Sequence, residues 1–352
     1  MTNIDLENQE IQSAVTDENI EWNQYQNTTV LITGATGLIG SVLVRTLLCA
    51  NEKYDLNMKV VGLVRNKVKA DKMFADQLTN THLTFVVADI LNLHELNIEA
   101  DYIVHTASQT ASKYFVEKPV ETIETTLKGT SNILNLAKKP NVKGMIFLST
   151  MEVYGTPETD EKINETHATN LETTNVRNCY PISKRMAENL CVSYAHEYHV
   201  PVKILRLTQT FGLGVTYNDQ RVFAEFTRDA IEGKDIVLHT EGKTKRSYLY
   251  TMDAIRAILI ALTKAENGEA YNVANEETYC SIAEMAKMVA QELGNGEINV
   301  VFDIAQDVAK YGYAKTLHMN LDTQKIQMLG WKPLVSLPDM FKKTYQYMFN
   351  QK

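Results

Sequence analysis

Four residues carry side chains that can hold or move protons, at spacings that would bring them together. Tyr180 and Lys184, in Tyr180-Pro181-Ile182-Ser183-Lys184, stand four apart, so on a helix they share a face. The lysine can hold a cofactor ribose while its charge lowers the phenol pKa, which near its usual value of about 10 is too high for a base at neutral pH. Upstream, Ser149-Thr150-Met151-Glu152 follows the apolar stretch Gly144-Met145-Ile146-Phe147-Leu148, which reads as a strand. Thr150 offers a hydroxyl that can bond a reacting oxygen and share its proton. Glu152 offers a carboxylate, either as a base or as a structural group. Together they suit removal of a hydroxyl proton beside a bound cofactor.

That chemistry needs a cofactor site, and Val30-Leu31-Ile32-Thr33-Gly34-Ala35-Thr36-Gly37-Leu38-Ile39-Gly40 supplies a candidate. A β-forming run meets three glycines three apart, and a helical pattern of Ile39, Leu43 and Leu47 follows. Gly34 would make the turn, Gly37 would let the backbone approach a pyrophosphate, and Gly40 would let the helix pack close. Unpaired N–H groups from Thr36 to Ile39 and the helix dipole would then hold the phosphates. Arg65 ends the second strand pattern, where an acidic residue would favour a free ribose 2′-hydroxyl. A guanidinium there suits a 2′-phosphate instead, so NADP is preferred over NAD. Asp89 and Ile90 follow the third strand, where the carboxylate can accept from an adenine amino group. Thr106, Ala107 and Ser108 end the fourth, leaving room for a nicotinamide ribose, and His105 reads as a packed strand-end histidine.

Short apolar strands at Val60–Val64, Leu83–Val87, Tyr102–His105, Gly144–Leu148 and Val202–Arg206 alternate with helical patterns, notably 119–139 and 181–199. This is the signature of a doubly wound α/β (Rossmann) fold, a parallel sheet buried on both faces with its ligand at the carboxyl ends of the strands. Residues 1–27 read as an extension whose Ile4, Leu6, Ile11, Val15 and Ile20 could pack on the body. Residues 28–205 read as the dinucleotide-binding domain, and 206–352 mainly as a smaller substrate-binding region, with the chain crossing between lobes. The 352 residues include 35 Lys and Arg against 43 Asp and Glu, a net charge of −8 that argues against nucleic acid as a partner. Four scattered cysteines show no metal-ligand spacing, and no run reaches the roughly 18 apolar residues of a membrane helix. A soluble cytoplasmic protein without metal or membrane partner is expected.

The glycine turn is similar to the TGxxGxxG turn of short-chain dehydrogenase/reductases. With Thr150, Tyr180 and Lys184 in order after it, the chain resembles an extended member of that superfamily, of the NAD-dependent epimerase/dehydratase family. Arg246-Ser247-Tyr248-Leu249-Tyr250-Thr251-Met252-Asp253 and Leu329-Gly330-Trp331-Lys332-Pro333 resemble its R-x-Y-x-x-x-x-D and LGWxP signatures. The resemblance implies a nucleotide-activated sugar as substrate, with Arg246 on its diphosphate and Val237 to His239 beside its base. Ser108, Thr150, Gln209 and Val222 would complete the substrate contacts. It also implies a homodimer paired through the helices at 119–139 and 181–199, and a role in polysaccharide supply.

Relatives that remove water across carbons 4 to 6 carry Asp-Glu after the threonine. Here Met151 precedes Glu152, and methionine cannot donate a proton, so that dehydration is disfavoured. Thr126 and Gln209 stand where the family usually has asparagine. Three readings follow. One is a cycle that oxidises a sugar, epimerises or decarboxylates it with Glu152, and returns the hydride. Another is a net NADPH-dependent reductase of a nucleotide-linked keto-sugar. The third is a scaffold that has lost its chemistry, against which the intact Thr150, Tyr180 and Lys184 speak.

Overall fold

The computed structural model describes residues 3–93, 98–304 and 316–352; the side chain of Ile4 lies outside that description. In chain order the first part contains α1 (Asn3–Val15), β1 (Thr29–Thr33), α2 (Leu38–Tyr54), β2 (Lys59–Val64), α3 (Lys67–Met73), β3 (Leu83–Val87) and β4 (Tyr102–His105). Then come α4 (Ser112–Glu117), α5 (Pro119–Ala137), β5 (Gly144–Thr150), α6 (Cys179–Tyr198), β6 (Val202–Leu207), β7 (Gln209–Phe211), α7 (Val222–Glu232) and β8 (Ile236–Leu238). The rest comprises β9 (Lys245–Tyr250), α8 (Thr251–Lys264), β10 (Ala270–Val273), β11 (Asn275–Ser281), α9 (Ile282–Leu293), β12 (Val300–Phe302), β13 (His318–Met319), α10 (Gln324–Gln327) and α11 (Leu337–Phe349).

Seven strands form one sheet in the order β10-β6-β5-β4-β1-β2-β3, every neighbouring pair parallel. Parallel strands must be covered on both faces, and the alternation of their side chains shows it. Val30 and Ile32 of β1 join the core that includes Leu43 and Leu47 of α2 and Ile255 and Leu259 of α8. Leu31 points the other way, into a core shared with Ile133 of α5 and Ala187 of α6. The strand order reverses between β1 and β4, so β1 and β4 open a crevice at their carboxyl ends, where such sheets bind ligands. Residues beyond 205 re-enter this sheet through β10, which pairs with β6.

The C-terminal part builds two smaller sheets. In one, β9 is flanked by β11 and β13 and also pairs with β7; in the other, β8 pairs with β12. Because β7 follows β6 after one residue, this second layer is tied directly to the large sheet.

The two late signatures lock together. The fully buried Trp331 donates its indole N–H to the Asp253 carbonyl at 2.9 Å, and the Asp253 carboxylate accepts from the Leu334 and Val335 amides. Asp253 also pairs with Arg256 at 3.0 Å, and Arg256 reaches Asp17 of the N-terminal extension. Leu6, Ile11, Val15 and Ile20 of that extension are buried. The resemblance to LGWxP therefore marks a structural clasp. Trp331→Ala is expected to remove about 3–5 kcal/mol of stability, read as a lowered midpoint in chemical denaturation; a midpoint unchanged from the parent would refute the clasp.

Candidate active site

The turn between β1 and α2 forms the candidate cofactor cradle. Gly34 has a φ of +69°, a left-handed conformation that favours glycine, and an added Cβ would lie 2.7 Å from the Thr106 hydroxyl. At Gly40 an added Cβ would fall 2.3 Å from the Gly34 carbonyl oxygen, so α2 can start this close to the turn only without a side chain. Gly37 is the N-cap and brings no side-chain cap to α2, and a Cβ there would meet only the Gly34 carbonyl. The first N–H groups of α2 thus face outward past a bare backbone, a cradle that fits a pyrophosphate. Thr106 closes the back of the turn by donating to the Thr33 carbonyl at 2.6 Å, and the Ala107 amide donates to the Thr33 hydroxyl. His105 bridges the Thr33 and Thr130 hydroxyls; burial, with the Lys184 charge, lowers its pKa to about 3, so it is a neutral packing residue.

Arg65 is exposed at the end of β2, and Lys69 in α3 donates to the Thr36 carbonyl at 3.1 Å. The Asp89 carboxylate accepts from the Leu91 amide and so caps its own turn, with Ile90 buried beneath it.

The proton-handling residues lie around the carboxyl end of β5. Thr150 is its last residue, and its hydroxyl accepts from the Glu152 amide, which starts a single 3-10 turn. Tyr180 and Lys184 lie in the first two turns of α6 with both side chains buried. Burial, followed by the nearby Glu152 carboxylate, raises the Tyr180 pKa well above the ordinary value, while the neighbouring Thr150 and Ser108 hydroxyls pull it down. The expected depression by Lys184 is not seen. Its ammonium, 6.0 Å from the Tyr180 ring centroid, donates instead to the Leu148 carbonyl at 2.7 Å. Loss of water outweighs a charge held at that range. Burial lowers the Lys184 pKa to about 8, against the opposing pull of Glu188 and Cys191.

Three contacts around the phenol had no signal in the sequence. Phe115 of α4 lies flat on the Tyr180 ring, with centroids 4.4 Å apart and planes within 6°. The Arg177 guanidinium sits 4.8 Å from the Phe115 centroid. Arg177 in turn pairs with Glu152 at 3.4 Å, so Glu152, Arg177, Phe115 and Tyr180 form one continuous stack.

Behind this layer, Glu188 continues the Tyr180–Lys184 face by one more turn. Its carboxylate accepts from the Ser149 hydroxyl at 2.5 Å and from Arg206 of β6 at 2.7 and 3.0 Å. Arg206 also donates to the Tyr154 hydroxyl, which donates to Asn272 of β10. A cavity of about 350 Å³ opens beside this network, lined by Tyr154, Arg185 and Val192 among others, but away from the glycine turn. Met151 is buried, with its sulfur 3.2 Å from the Thr208 hydroxyl, which donates to the Ser247 carbonyl. The position where dehydratases would carry an acid therefore points into the core.

The residues expected to hold substrate are placed less closely. Gln209, half-buried, lies opposite Tyr248 in the β7–β9 pair, next to the Thr208 link to Met151. Arg246, half-buried on β9, has an Nε without a hydrogen-bond partner, as a group awaiting an anion would. Val222 opens α7, while exposed Val237 and half-exposed His239 lie on and just after β8, in the separate two-stranded sheet. His239 faces the Asp303 carbonyl at 3.2 Å. Thr126 bonds its own helix through the Thr122 carbonyl at 2.9 Å.

The ammonium form of Lys184 is lost as pH rises through its lowered pKa. For the free enzyme, kcat/KM is expected to fall above about pH 8, and Lys184→Arg, which stays charged, to move that fall upward. A pH profile flat across that range, or one unmoved by the substitution, would contradict the assignment.

The profile of the NAD-dependent epimerase/dehydratase family matches residues 30–274. The UDP-N-acetyl-alpha-D-glucosaminuronate decarboxylase of Bacillus cytotoxicus is 31% identical over 90% of this chain and 96% of its own length. UDP-glucuronic acid decarboxylase 1 of Xenopus tropicalis is 29% identical over 90% of this chain and 71% of its own. Among solved structures, UDP-glucuronic acid 4-epimerase from Bacillus cereus, in complex with UDP-glucuronic acid and NAD, superposes with a TM-score of 0.73 at 25% identity, covering 91% of this chain and 98% of that one. With its parallel sheet, glycine cradle and buried Tyr180–Lys184 pair, the chain belongs to the NAD-dependent epimerase/dehydratase family and is an enzyme of nucleotide-sugar chemistry.

Proposed function

We propose that the protein decarboxylates a UDP-linked hexuronate through a 4-keto intermediate, with NAD bound at the Gly34–Gly40 cradle. The observation that carries this reading is the Glu152 carboxylate, paired with Arg177 and close enough to Tyr180 to raise its pKa. The inward-facing Met151 argues against a dehydratase, and two decarboxylases among the relatives favour loss of CO2 over epimerisation. NAD is the cofactor of the family. Arg65 remains the residue to examine for any use of NADP.

NAD, when bound, supplies the hydride acceptor that later returns the hydride. Thr150 and Ser108 would hold the oxygen of the sugar C4 hydroxyl beside the Tyr180 oxygen, which takes the proton once Tyr180 is the phenolate. Lys184 holds the ribose and keeps a positive charge near the phenol while it is deprotonated. Once C4 is a ketone, the C5 carboxylate is that of a β-keto acid. The C5–C6 bond breaks, CO2 leaves, and the electron pair passes into an enolate on the C4 oxygen. Tyr180 can return its proton to that oxygen, and Glu152 would orient the water through which a solvent proton reaches C5. Residues 28–205 would serve the cofactor and 206–352 mainly the nucleotide sugar, with Arg246 on the diphosphate, Gln209 and Val222 beside it, and Val237 and His239 towards the base. The product would suit cytoplasmic supply of cell-surface polysaccharide.

A homodimer belongs to the same reading. Helices α5 and α6 pack side by side and expose Val120, Ile123, Met186 and Val192, apolar residues that a two-fold pairing would cover. Light scattering is expected to give the mass of two chains, and a one-chain mass would refute it.

The reaction is tested by incubating the purified protein with NAD and either UDP-glucuronate or UDP-N-acetylglucosaminuronate. Release of CO2 with a UDP-pentose product and no net change in nicotinamide absorbance is expected, and Tyr180→Phe should lower the rate by at least about a hundredfold. Stoichiometric loss of NADPH on a keto-sugar, without CO2, would favour the reductase reading instead. Full activity in Tyr180→Phe would overturn the mechanism.

A further inference from the structure

A decarboxylase that carries Glu152 in its site has an electrostatic problem. The hexuronate brings a second carboxylate into a pocket already holding one, and two such charges close together in a poorly hydrated site repel strongly. A cation must stand between them. Two of the nearby cations are already committed to backbone: Lys184 donates to the Leu148 carbonyl, and Arg185 donates to the Val153 carbonyl at 2.5 Å and the Thr169 carbonyl at 2.8 Å.

Arg177 is differently placed. Its Nη1 lies 3.4 Å from Glu152, longer than the roughly 2.7–2.9 Å of a strong charge-assisted hydrogen bond. Its Nε is buried and has no hydrogen-bond partner, although a quarter of the side chain (24%) remains open to solvent. The guanidinium is held over Phe115, whose ring also stacks on Tyr180, so its place near the phenol is set before any substrate arrives. A buried donor left unsatisfied is costly in a resting protein, and an incoming anion relieves that cost.

We infer that Arg177 is the specificity-determining residue for an acidic sugar: one side of its guanidinium holds Glu152, and Nε donates to the sugar-borne carboxylate of the substrate. This rests on the decarboxylase reading above and adds to it the group that distinguishes a hexuronate from a neutral hexose. By neutralising Glu152 and the sugar carboxylate together, Arg177 lets both occupy the space beside Tyr180. An arginine suits this better than a lysine, because its fork offers separate donors in fixed directions to two anions.

The test reads binding alone, in a Tyr180→Phe background that keeps the Phe115 stacking and stops turnover. Affinities for UDP-glucuronate and UDP-glucose are measured by calorimetry with NAD present. The Tyr180→Phe protein should prefer UDP-glucuronate. Adding Arg177→Gln should weaken UDP-glucuronate by at least about tenfold while UDP-glucose stays within about twofold, with Arg177→Lys between the two. Equal losses for both ligands would mean that Arg177 only supports the pocket and would overturn the assignment. A preference for the uronate that survives Arg177→Gln would overturn it too, while leaving the decarboxylase reading intact. No preference in the Tyr180→Phe protein itself would overturn the Arg177 assignment, and CO2 release by the wild type, or its absence, then decides whether the decarboxylase reading stands or falls with it.

Discussion

The buried ion pair between Glu188 and Arg206 is the constraint on which the rest of the site depends. Helix α6 carries Tyr180, Lys184 and Glu188 on one face, and only the last of these is anchored by charge to the sheet. Glu188 grips Arg206 of β6 with both oxygens and Ser149 of β5 with one, so the helix cannot rotate or slide without breaking several bonds. Removing one partner from such a pair leaves an uncompensated buried charge, a loss of about 3–5 kcal/mol. The pair therefore acts as a registration device. It sets the phenol of Tyr180 against the hydroxyl of Thr150, one residue beyond Ser149, and it points Lys184 at the Leu148 carbonyl one residue before.

On that frame the electrostatics of Tyr180 are set by opposing neighbours. Burial and Glu152 favour the neutral phenol; Thr150, Ser108 and Arg177 favour the phenolate. In the resting protein burial prevails, so the phenol keeps its proton. The site is thus poised to respond to charge: a positive group brought close to the phenol, or neutralisation of Glu152 by Arg177, shifts the balance toward proton acceptance. The same low-dielectric surroundings that hold the phenol neutral make each such charge more effective than it would be in water.

Much of this was legible in the sequence because it is local. The strand run Val30–Thr33, the three glycines and the helical period after them specify one turn, and the structure builds it with Gly34 left-handed and Gly40 against the turn backbone. The i and i+4 spacing of Tyr180 and Lys184 placed them on one face of α6. Long-range pairs left no such trace. Nothing in the local pattern around Phe115 indicates that it stacks on Tyr180 and meets Arg177, because α4 meets the start of α6 from more than sixty positions away in the chain. The i+4 repeat from Lys184 to Glu188 was a visible signal, but its partner Arg206 lies in a different strand. The phenol pKa was misjudged for a related reason: spacing shows which charge is near, whereas the amount of water removed depends on the whole fold.

The central claim is that Tyr180 drives a closed hydride cycle at a single sugar carbon. Its most direct test follows deuterium placed on C4 of UDP-glucuronate through one turnover with unlabelled NAD. The account predicts that the deuterium leaves and returns, so that the decarboxylated product carries it on the same carbon. Product formed without deuterium at C4, or deuterium accumulating in reduced nicotinamide as product forms, would contradict it.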